Sequence, residues 1–253
     1  MLTSGRCRFI GGGRFAPNKI AGLALWLKAD AITGLSDGDA IGTWADSSGN
    51  GRNATQATAG AKPAYKTGIV NGQPVVRFDG GDVLANALAQ LPLRTRSIFI
   101  VTQETGDAAY SGILVLNPAA GSDNSRTDGL TINVSDGAKQ LRVEGSTPSA
   151  YTLDLTAGGL LPLGIYADIA TAATGALYAN GTLANTSPLF TEFDALSAGG
   201  YVLGGRFLSG AVDAGYRFLG DIAEIIVYDS ALSDSNRQAI EAYLSAKYGI
   251  ALA

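Results

Sequence analysis

The acidic side chains are the groups of this sequence that could do chemistry, because its 253 residues include no His. Without that residue, neither a Ser-His-Asp or Cys-His nucleophile system nor a His-ligated metal can form. Glycoside hydrolysis stays open, since a retaining enzyme needs only two carboxyl groups about 5–5.5 Å apart. Glu224 and Asp229 cannot form such a pair, because they are five residues apart and an odd number of residues places two side chains on opposite faces of a regular strand. Glu224 shares its expected face with Ile222, Ile226 and Tyr228, which predicts a structural carboxylate with satisfied hydrogen bonds.

The charge balance argues against nucleic acid as a partner. Lys and Arg total 18 against 22 acidic residues, and no basic run provides the positive surface that a nucleic-acid backbone requires.

Cys7 is the single cysteine, so an internal disulfide is excluded. No apolar run reaches the roughly 18 residues that span a bilayer, so we expect no membrane insertion. The 17 Asp against 5 Glu favour turns and caps over helices.

Strand-like patterns dominate the chain. In Leu23–Lys28 the larger aliphatic residues recur at every second position, as a half-buried strand requires. Ser97–Thr102 is continuously apolar and rich in β-branched residues, which predicts a central strand covered on both faces. Trp26 and Phe78 are expected in the interior of a sandwich. Further strands are predicted at Pro74–Phe78, Ile113–Leu116, Leu130–Val134, Gln140–Val143, Tyr151–Leu155, Ile165–Ile169, Ala176–Ala179, Tyr201–Leu203 and Ile222–Tyr228.

Turn and cap residues separate these strands and bound one helix. Asn-Gly pairs beginning at Asn50, Asn71 and Asn180 are candidate hairpin tips, because this pair readily adopts the positive φ angles of a type I′ turn. Ser233 is the expected N-cap of a C-terminal helix and Gly249 its stop. The pattern predicts an all-β fold, an antiparallel two-sheet sandwich with one C-terminal α-helix. The apolar stripe that should pack this helix against the sandwich is Ile240, Tyr243, Leu244 and Tyr248.

Four segments carry a resemblance to a known family: Gly22–Asp30, Thr43–Ala54, Asn71–Gly80 and Gly220–Asp229. They resemble the concanavalin A-like lectin/glucanase superfamily, specifically the laminin-G-like jelly rolls of bacterial surface proteins and phage virion proteins. The resemblance covers roughly residues 20–251 and implies that the sandwich is a concanavalin A-like jelly roll.

The superfamily includes enzymes, and the chain departs from their motif. Its retaining β-glucanases carry a Glu-x-Asp-x-x-Glu strand that places three acids in one cleft. The segment most similar to it here supplies Glu192 and Asp194, but Ser197 stands where the acid/base Glu should be. We therefore expect no enzymatic activity.

Calcium is the cofactor that the resemblance leaves open, because jelly rolls of this kind sometimes hold it in loops. Calcium takes six to eight oxygen ligands from carboxylates, amides and carbonyls. Asp37, Asp39, Asp46 and Asn50 cluster in one region of the sequence and are the candidate ligands. They lack the spacing of a twelve-residue calcium loop with a terminal Glu, so solvated turn residues are the alternative and no other cofactor is expected.

Glycan binding is implied by the family, and it requires an exposed aromatic platform with polar groups that fix orientation. Trp44 could provide a ring, although the resemblance also gives it a structural role. Tyr201, Phe207 and Tyr216 are the other candidates, with Tyr110 as a further member of an aromatic surface. Nothing in the sequence shows that these rings meet.

Residues 1–19 are expected to form an N-terminal extended arm before a single domain at 20–253. The arm lacks the apolar stretch and cleavage site of a secretory signal peptide. A docking or assembly role and a disordered terminus are the two alternatives for it. The arm residues expected to make assembly contacts are Arg6, Arg8, Phe9, Ile10, Arg14 and Phe15.

These observations favour a non-catalytic phage virion structural protein, such as a capsid decoration or tail/fibre component, located in the virion. Its expected partners are other virion proteins or copies of itself, through the arm, and host-surface glycans. The alternative is a carbohydrate-binding adhesion module of a bacterial surface protein, located at the cell surface. A glycoside hydrolase is a more remote alternative.

Overall fold

The computed structural model describes residues 15–87, 91, 94–106, 110–116, 129–134, 140–145, 151–156, 161–188, 200–208, 211–213 and 215–253. Within them the chain folds as two antiparallel sheets packed face to face, with one C-terminal helix, α1 (Asp234–Tyr248). The all-β jelly-roll sandwich expected from the sequence is confirmed. None of the helices in this described part is long and apolar enough to cross a membrane.

The strands are short and follow one another with few helical interruptions. In chain order they are β1 (Leu23–Lys28), β2 (Thr43–Trp44), β3 (Ala54–Thr55), β4 (Ala64–Val70), β5 (Gln73–Asp79), β6 (Leu84–Asn86), β7 (Arg96–Glu104), β8 (Ser111–Leu116), β9 (Leu130–Val134), β10 (Gln140–Gly145), β11 (Tyr151–Thr156), β12 (Gly164–Ala170), β13 (Thr174–Ala179), β14 (Thr182–Pro188), β15 (Tyr201–Leu203), β16 (Phe207–Leu208), β17 (Ala211–Val212) and β18 (Leu219–Tyr228). Single-turn 3₁₀ helices lie at Pro17–Lys19, Ala29–Ala31 and Ala59–Ala61.

In the described part of the chain, two sheets of eight strands form the layers. The first sheet has the order β14-β13-β12-β7-β18-β5-β4, and β1 also pairs with β18. The second sheet has the order β11-β10-β9-β8-β15-β6-β3-β2. The short hairpin β16–β17 packs Phe207 and Val212 against Val83, Val115 and Val202. The residues next to these three valines in sequence point into the core between the sheets, so the valines themselves point outward. The hairpin therefore covers part of the outer face of the second sheet.

The central strand of the first sheet is the one that the sequence predicted. β7 lies between β12 and β18, and its side chains alternate between two apolar clusters. Ile98 and Ile100 join the cluster between the sheets, and Phe99 and Val101 join the cluster beneath α1. A strand buried on both faces needs apolar residues at consecutive positions, which explains its unbroken hydrophobic run.

Helix α1 begins and ends as its sequence indicates. The Ser233 hydroxyl accepts a hydrogen bond from the backbone N–H of Asn236, and Gly249 adopts the left-handed conformation with φ +67°. Ile240, Leu244 and Tyr248 are buried against the outer face of the first sheet. The predicted apolar stripe is therefore the face by which the helix packs.

Two of the three Asn-Gly pairs are hairpin tips. Asn71 joins β4 to β5 with φ +49°, and Asn180 joins β13 to β14 with φ +48°. Asn50 instead lies inside the nine-residue connection between β2 and β3. Its side-chain amide donates to the backbone oxygens of Leu23 and Ala24, so this pair fastens a loop and is not a two-residue tip.

A β-bulge in β18 decides which side chains share the face of Glu224. The register shifts between Ile222 and Glu224, so Ile222 joins Ile225 in the core between the sheets. The expectation that Ile222 shares a face with Glu224 is therefore wrong, since a bulge breaks the two-residue alternation. Trp26 also differs from expectation, because it lies in the cluster beneath α1 and not between the sheets.

The Glu224 carboxylate ties the helix to the first sheet. One oxygen accepts from Trp26 Nε1 at 2.6 Å and from the Tyr243 hydroxyl at 3.2 Å. The other accepts from Lys247 Nζ at 2.7 Å and from the Tyr248 hydroxyl at 2.8 Å. Burial, followed by the charge of Glu224, raises the pKa of Tyr248, so that hydroxyl stays a donor. The predicted satisfied carboxylate is confirmed, with four donors around a group that is 1% exposed.

We expect Glu224→Gln to destabilise the fold by about 3–5 kcal/mol, because it leaves the Lys247 ammonium without its buried counter-charge and turns an acceptor into a donor. Asp30→Asn removes the other partner of Lys247, which lies at the surface, and should cost less than about 1 kcal/mol. Urea denaturation of the two variants checks this contrast. Equal losses would contradict a central role for Glu224.

Asp82 closes the loop after β5 and carries a perturbed pKa. Its carboxylate accepts from the backbone N–H of Asp79 at 2.9 Å, and the residue is 5% exposed. Burial raises its pKa to about 6. The folded protein therefore holds a proton at pH values where the unfolded chain has released it. The resulting stability is present below about pH 4 and is lost as the pH rises through 6.

We expect Asp82→Asn to remove this pH-dependent loss, so that the variant gains stability relative to the parent as the pH rises from about 4 to 7. The measurement is the urea midpoint of both proteins across that range. Asp213→Asn, which changes a different turn carboxylate, is the control. Parallel pH curves for Asp82→Asn and its parent would show that the Asp82 proton makes no contribution.

Candidate functional site

The Asp46 carboxylate, a candidate calcium ligand, is saturated by its own loop. One oxygen accepts from the backbone N–H groups of Trp26 and Ser48 at 3.0 and 2.8 Å. The other accepts from the backbone N–H of Arg52 at 3.0 Å and from the Ser48 hydroxyl at 2.8 Å. These four hydrogen bonds fix the loop between β2 and β3 to β1.

The other candidate ligands are engaged elsewhere. Asp37 binds Lys66 Nζ at 2.5 Å and the backbone N–H of Thr67 at 2.8 Å. The Lys66 hydrogen bond is the main reason that the pKa of Asp37 is lowered. Asp39 accepts from the Ser36 N–H in a local turn. Across the described ranges, no three His, Cys, Asp or Glu side chains form a group that could hold a metal ion, so Asp37, Asp39 and Asp46 are not brought together.

Two of the aromatic candidates are core residues. Trp44 and Tyr201 are both 0% exposed. The Tyr201 hydroxyl donates to the backbone oxygen of Arg52 at 2.6 Å, and burial raises its pKa. Neither ring offers a surface on which a ligand could stack. Phe207 is half-buried in the β16–β17 hairpin described above.

Tyr216 meets Tyr110 at the surface. Their ring centroids lie 6.2 Å apart with an interplanar angle of 77°, an edge-to-face pair. Tyr110 is 37% exposed, and Tyr216 is half-buried. Tyr110 has φ +52°, a left-handed conformation that is rare for a bulky residue. Such strained residues concentrate at functional sites, so this pair at the surface is the candidate site.

Arg206 adds a positive charge to the Tyr110–Tyr216 pair. Its guanidinium carbon lies 5.8 Å from the centre of the Tyr216 ring, within the range of a cation–π contact. Arg206 is 5% exposed, so its position is fixed by the surrounding chain. A guanidinium held beside aromatic rings can donate planar, directed hydrogen bonds to a polar ligand.

Gly112 allows the segments that carry Tyr110, Arg206 and Tyr216 to meet. A Cβ atom at this position would lie 2.4 Å from the backbone oxygen of Gly205 and 2.8 Å from Cγ of Arg206. The Gly112 N–H donates to the backbone oxygen of Tyr216 at 3.2 Å. The start of β8, the loop after β15 and the segment before β18 therefore converge at one glycine, because a side chain would hold them apart.

Two buried polar side chains of β9, close to Gly112, have no hydrogen-bond partner. Asn133 of β9 lies opposite Gly112, and Thr131 lies opposite Val115, on the outer face of the second sheet. Both residues are 0% exposed, and neither the Asn133 amide nor the Thr131 hydroxyl makes a hydrogen bond. A buried polar group left unpaired costs about 1–3 kcal/mol. The fold therefore retains polar groups here that do not stabilise it.

The sequence named Tyr216 and Tyr110 but could not show that they meet. Arg206, Asn133 and Thr131 were missed, because no spacing signals a contact between strands far apart in the chain. The Glu192–Ser197 segment and the arm residues Arg6, Arg8, Phe9, Ile10 and Arg14 lie outside the described residues. Phe15, the sixth arm residue, packs its ring 6.3 Å from that of Tyr243.

Solved structures share the architecture. Domain 4 of AbnA, a GH43 extracellular arabinanase from Geobacillus stearothermophilus solved with arabinotriose, matches with a TM-score of 0.59 and 15% identity, over 85% of this chain and 95% of that one. An arabinofuranosidase solved with arabinofuranosyl-α-1,2-xylobiose matches with a TM-score of 0.58 and 15% identity, over 83% of this chain and 51% of that one. Trypanosoma rangeli sialidase gives 0.59 and 14%, over 90% and 33%. At these identities the similarity shows a common fold and nothing about ligands.

Sequence comparison gives the family. None of the curated proteins matches the chain. The sequence model of the Concanavalin A-like lectin/glucanases superfamily, Laminin_G_3, matches residues 94–236, more than half of the chain. That range contains the central strand β7, the Tyr110–Tyr216 pair and the whole of β18. The chain therefore belongs to the concanavalin A-like lectin/glucanases superfamily.

Proposed function

We propose that this protein is a non-catalytic carbohydrate-binding module that holds a glycan against Tyr110 and Tyr216. The observation that carries the proposal is the surface pair of rings with the Arg206 guanidinium beside it. Sugar rings present apolar C–H faces and polar hydroxyl edges, so a site needs a flat apolar surface and a few fixed polar groups. Tyr110, Tyr216 and Arg206 supply both.

The unpaired polar groups of β9 support the same location. Asn133 lies opposite Gly112, and Gly112 contacts both Arg206 and Tyr216. Glycan hydroxyls both donate and accept hydrogen bonds, but the Asn133 amide and the Thr131 hydroxyl are 0% exposed, so a glycan at the tyrosine pair reaches them only when the chain that covers them moves. Unpaired groups of this kind in a native protein call for an explanation, and ligand binding is one that also explains their position.

The acids support binding without catalysis. Glu224 is fully occupied by four donors, and Asp46 is saturated by its loop. The Glu192–Ser197 segment lacks the third acid of the glucanase motif. A retaining hydrolase needs a nucleophile and a separate acid/base, and we find no such pair in the described part of the chain.

A virion location and an anchoring role for residues 1–19 stay expectations from the sequence. Glycan binding requires neither, because every residue of the proposed site lies at or beyond Tyr110. A bacterial surface location is equally compatible with the site. Incorporation of the chain into particles, measured with and without residues 1–14, addresses the virion role independently.

We expect saturable binding on a glycan microarray, with arabino-oligosaccharides as the first probes for calorimetric titration. Tyr216→Ala should weaken binding about tenfold or more, because an aromatic side chain buried under a ligand contributes about 1.5 kcal/mol or more. Tyr110→Ala should act in the same direction. Truncating Tyr216 preserves its backbone contact to Gly112, so the site itself should stay formed.

Leu183→Ala is the control for these two variants. Leu183 is an exposed apolar residue in β14, 51% accessible and outside the proposed site. It should leave the affinity unchanged. Equal affinities for parent, Tyr110→Ala and Tyr216→Ala would rule out the tyrosine pair as the site, and an empty array would contradict glycan binding.

A pair of Thr→Val variants tests whether the β9 groups serve binding. Thr131→Val replaces an unpaired buried hydroxyl and should leave stability unchanged or higher, while weakening the glycan complex. Thr102→Val removes a buried hydroxyl that donates to the backbone oxygen of Asp221 at 2.8 Å, and should cost about 0.5–1.5 kcal/mol without affecting binding. Thermal unfolding and calorimetric titration of both variants provide the comparison. A Thr131→Val variant that binds like the parent would remove β9 from the site.

A further inference from the structure

A groove of about 680 Å³ lies on the other side of the molecule, along helix α1. Its volume falls within the roughly 300–1,000 Å³ typical of small-ligand sites. Helix α1, the turn between β4 and β5, and the residues that follow β1 form its walls. Phe15 and Tyr243 contribute aromatic rings, and Asn71 and Gln73 contribute amides. The described residues place it apart from the Tyr110–Tyr216 pair.

Small side chains keep the groove open. Ala239, Ala242 and Ala246 lie three and four residues apart, so they form one stripe along α1, and all three line the groove. Ala242 and Ala246 are exposed. Longer side chains at these positions would fill the space, as they usually do on the solvent face of a helix.

The walls are fixed by contacts already formed. The Asn71 amide nitrogen donates to the backbone oxygen of Lys247 at 3.1 Å and so joins the β4–β5 turn to the end of α1. The Tyr243 hydroxyl and the Lys247 ammonium both bind Glu224. A ligand would therefore meet a preformed surface and would not have to order it, which lowers the free-energy cost of binding.

The polar groups of the groove indicate an uncharged ligand. The Lys247 ammonium binds Glu224 at 2.7 Å and Asp30 at 2.8 Å, so the cation is already compensated. Within the described ranges, the Gln73 side chain and the Asn71 amide oxygen make no hydrogen bond, so both can serve a ligand. Aromatic rings with free amides and no free cation match the C–H faces and hydroxyl edges of a sugar.

We infer that this groove is a second binding site, for a neutral oligosaccharide, separate from the Tyr110–Tyr216 pair. Two sites on different sides of one domain allow a single chain to hold two glycan strands, or one branched glycan, with a gain from avidity. The inference shares its ligand class with the proposed function but uses none of the same residues. The two can therefore fail separately.

The test is NMR titration of the ¹⁵N-labelled protein with a panel of neutral mono-, di- and trisaccharides, including arabinotriose, at millimolar concentration. We expect saturable shifts of the Gln73, Asn71 and Ala242 signals with at least one member of the panel. Ala242→Trp, which fills the floor of the groove, should abolish these shifts and leave any shifts at Tyr110 and Tyr216 intact. Gln238→Trp places the same ring on an exposed position of α1 outside the groove and should change nothing.

Three results would overturn the inference. The first is a panel that shifts none of the groove signals, whatever happens at Tyr110 and Tyr216. The second is a set of shifts that persists unchanged in Ala242→Trp. The third is saturable binding at the groove of a synthetic peptide with the sequence of residues 1–14 while no saccharide binds there, which would make the groove a docking site for the N-terminal segment.

Discussion

The buried carboxylate of Glu224 is the interaction on which the arrangement of helix and first sheet depends. A buried charge is tolerated only where hydrogen bonds and a counter-charge replace its lost hydration. Here the bulge in β18 points the side chain toward α1, and Trp26, Tyr243, Lys247 and Tyr248 supply the donors. Because Tyr243 and Lys247 also line the groove along α1, the same contacts that fix the helix give that groove its rigid wall.

Two carboxylates of the scaffold are saturated with hydrogen bonds, whereas two buried polar side chains near the tyrosine pair have none. Asp46 and Glu224 are saturated, and each fastens an element to β1. Thr131 and Asn133 are buried without partners on the outer face of the second sheet, near the Tyr110–Tyr216 pair. Each unpaired buried polar group calls for an explanation, and Trp44 Nε1 in the core and one Glu241 oxygen in α1 are further examples outside the proposed site. Ligand binding is therefore placed at the second sheet because the tyrosine pair and Arg206 lie there, and not at the acidic loops because Asp46 is saturated.

Local signals in the sequence were sufficient for elements whose structure is local. The caps Ser233 and Gly249 gave the helix its bounds, and the unbroken apolar run gave β7 its central place. The bulge in β18 could not be predicted from the alternation of apolar and polar residues. A single extra residue moves the side chains that precede it, such as Ile222, to the opposite face of the sheet. Strand β14 escaped prediction because its residues are mostly exposed and polar at an edge. The sequence made Trp44 a candidate glycan-binding ring, and only its packing in the fold shows that it is a core residue.

The candidate site was less accessible to sequence reasoning than the fold. Tyr110 and Tyr216 are brought together by the clearance at Gly112 and by the hydrogen bond from the Gly112 N–H to the Tyr216 backbone oxygen, and neither is a local property. Arg206 and Asn133 join them for the same reason. Composition did limit the chemistry, since a chain without His and with so few Glu residues has few ways to build a catalytic centre.

The most direct test of glycan binding at the tyrosine pair is a crystal structure of the protein with a saccharide that it binds saturably. The account predicts a sugar ring in contact with Tyr216 and Tyr110, with a hydroxyl hydrogen-bonded to the Arg206 guanidinium. A well-ordered sugar bound elsewhere, with the tyrosine pair free, would contradict it.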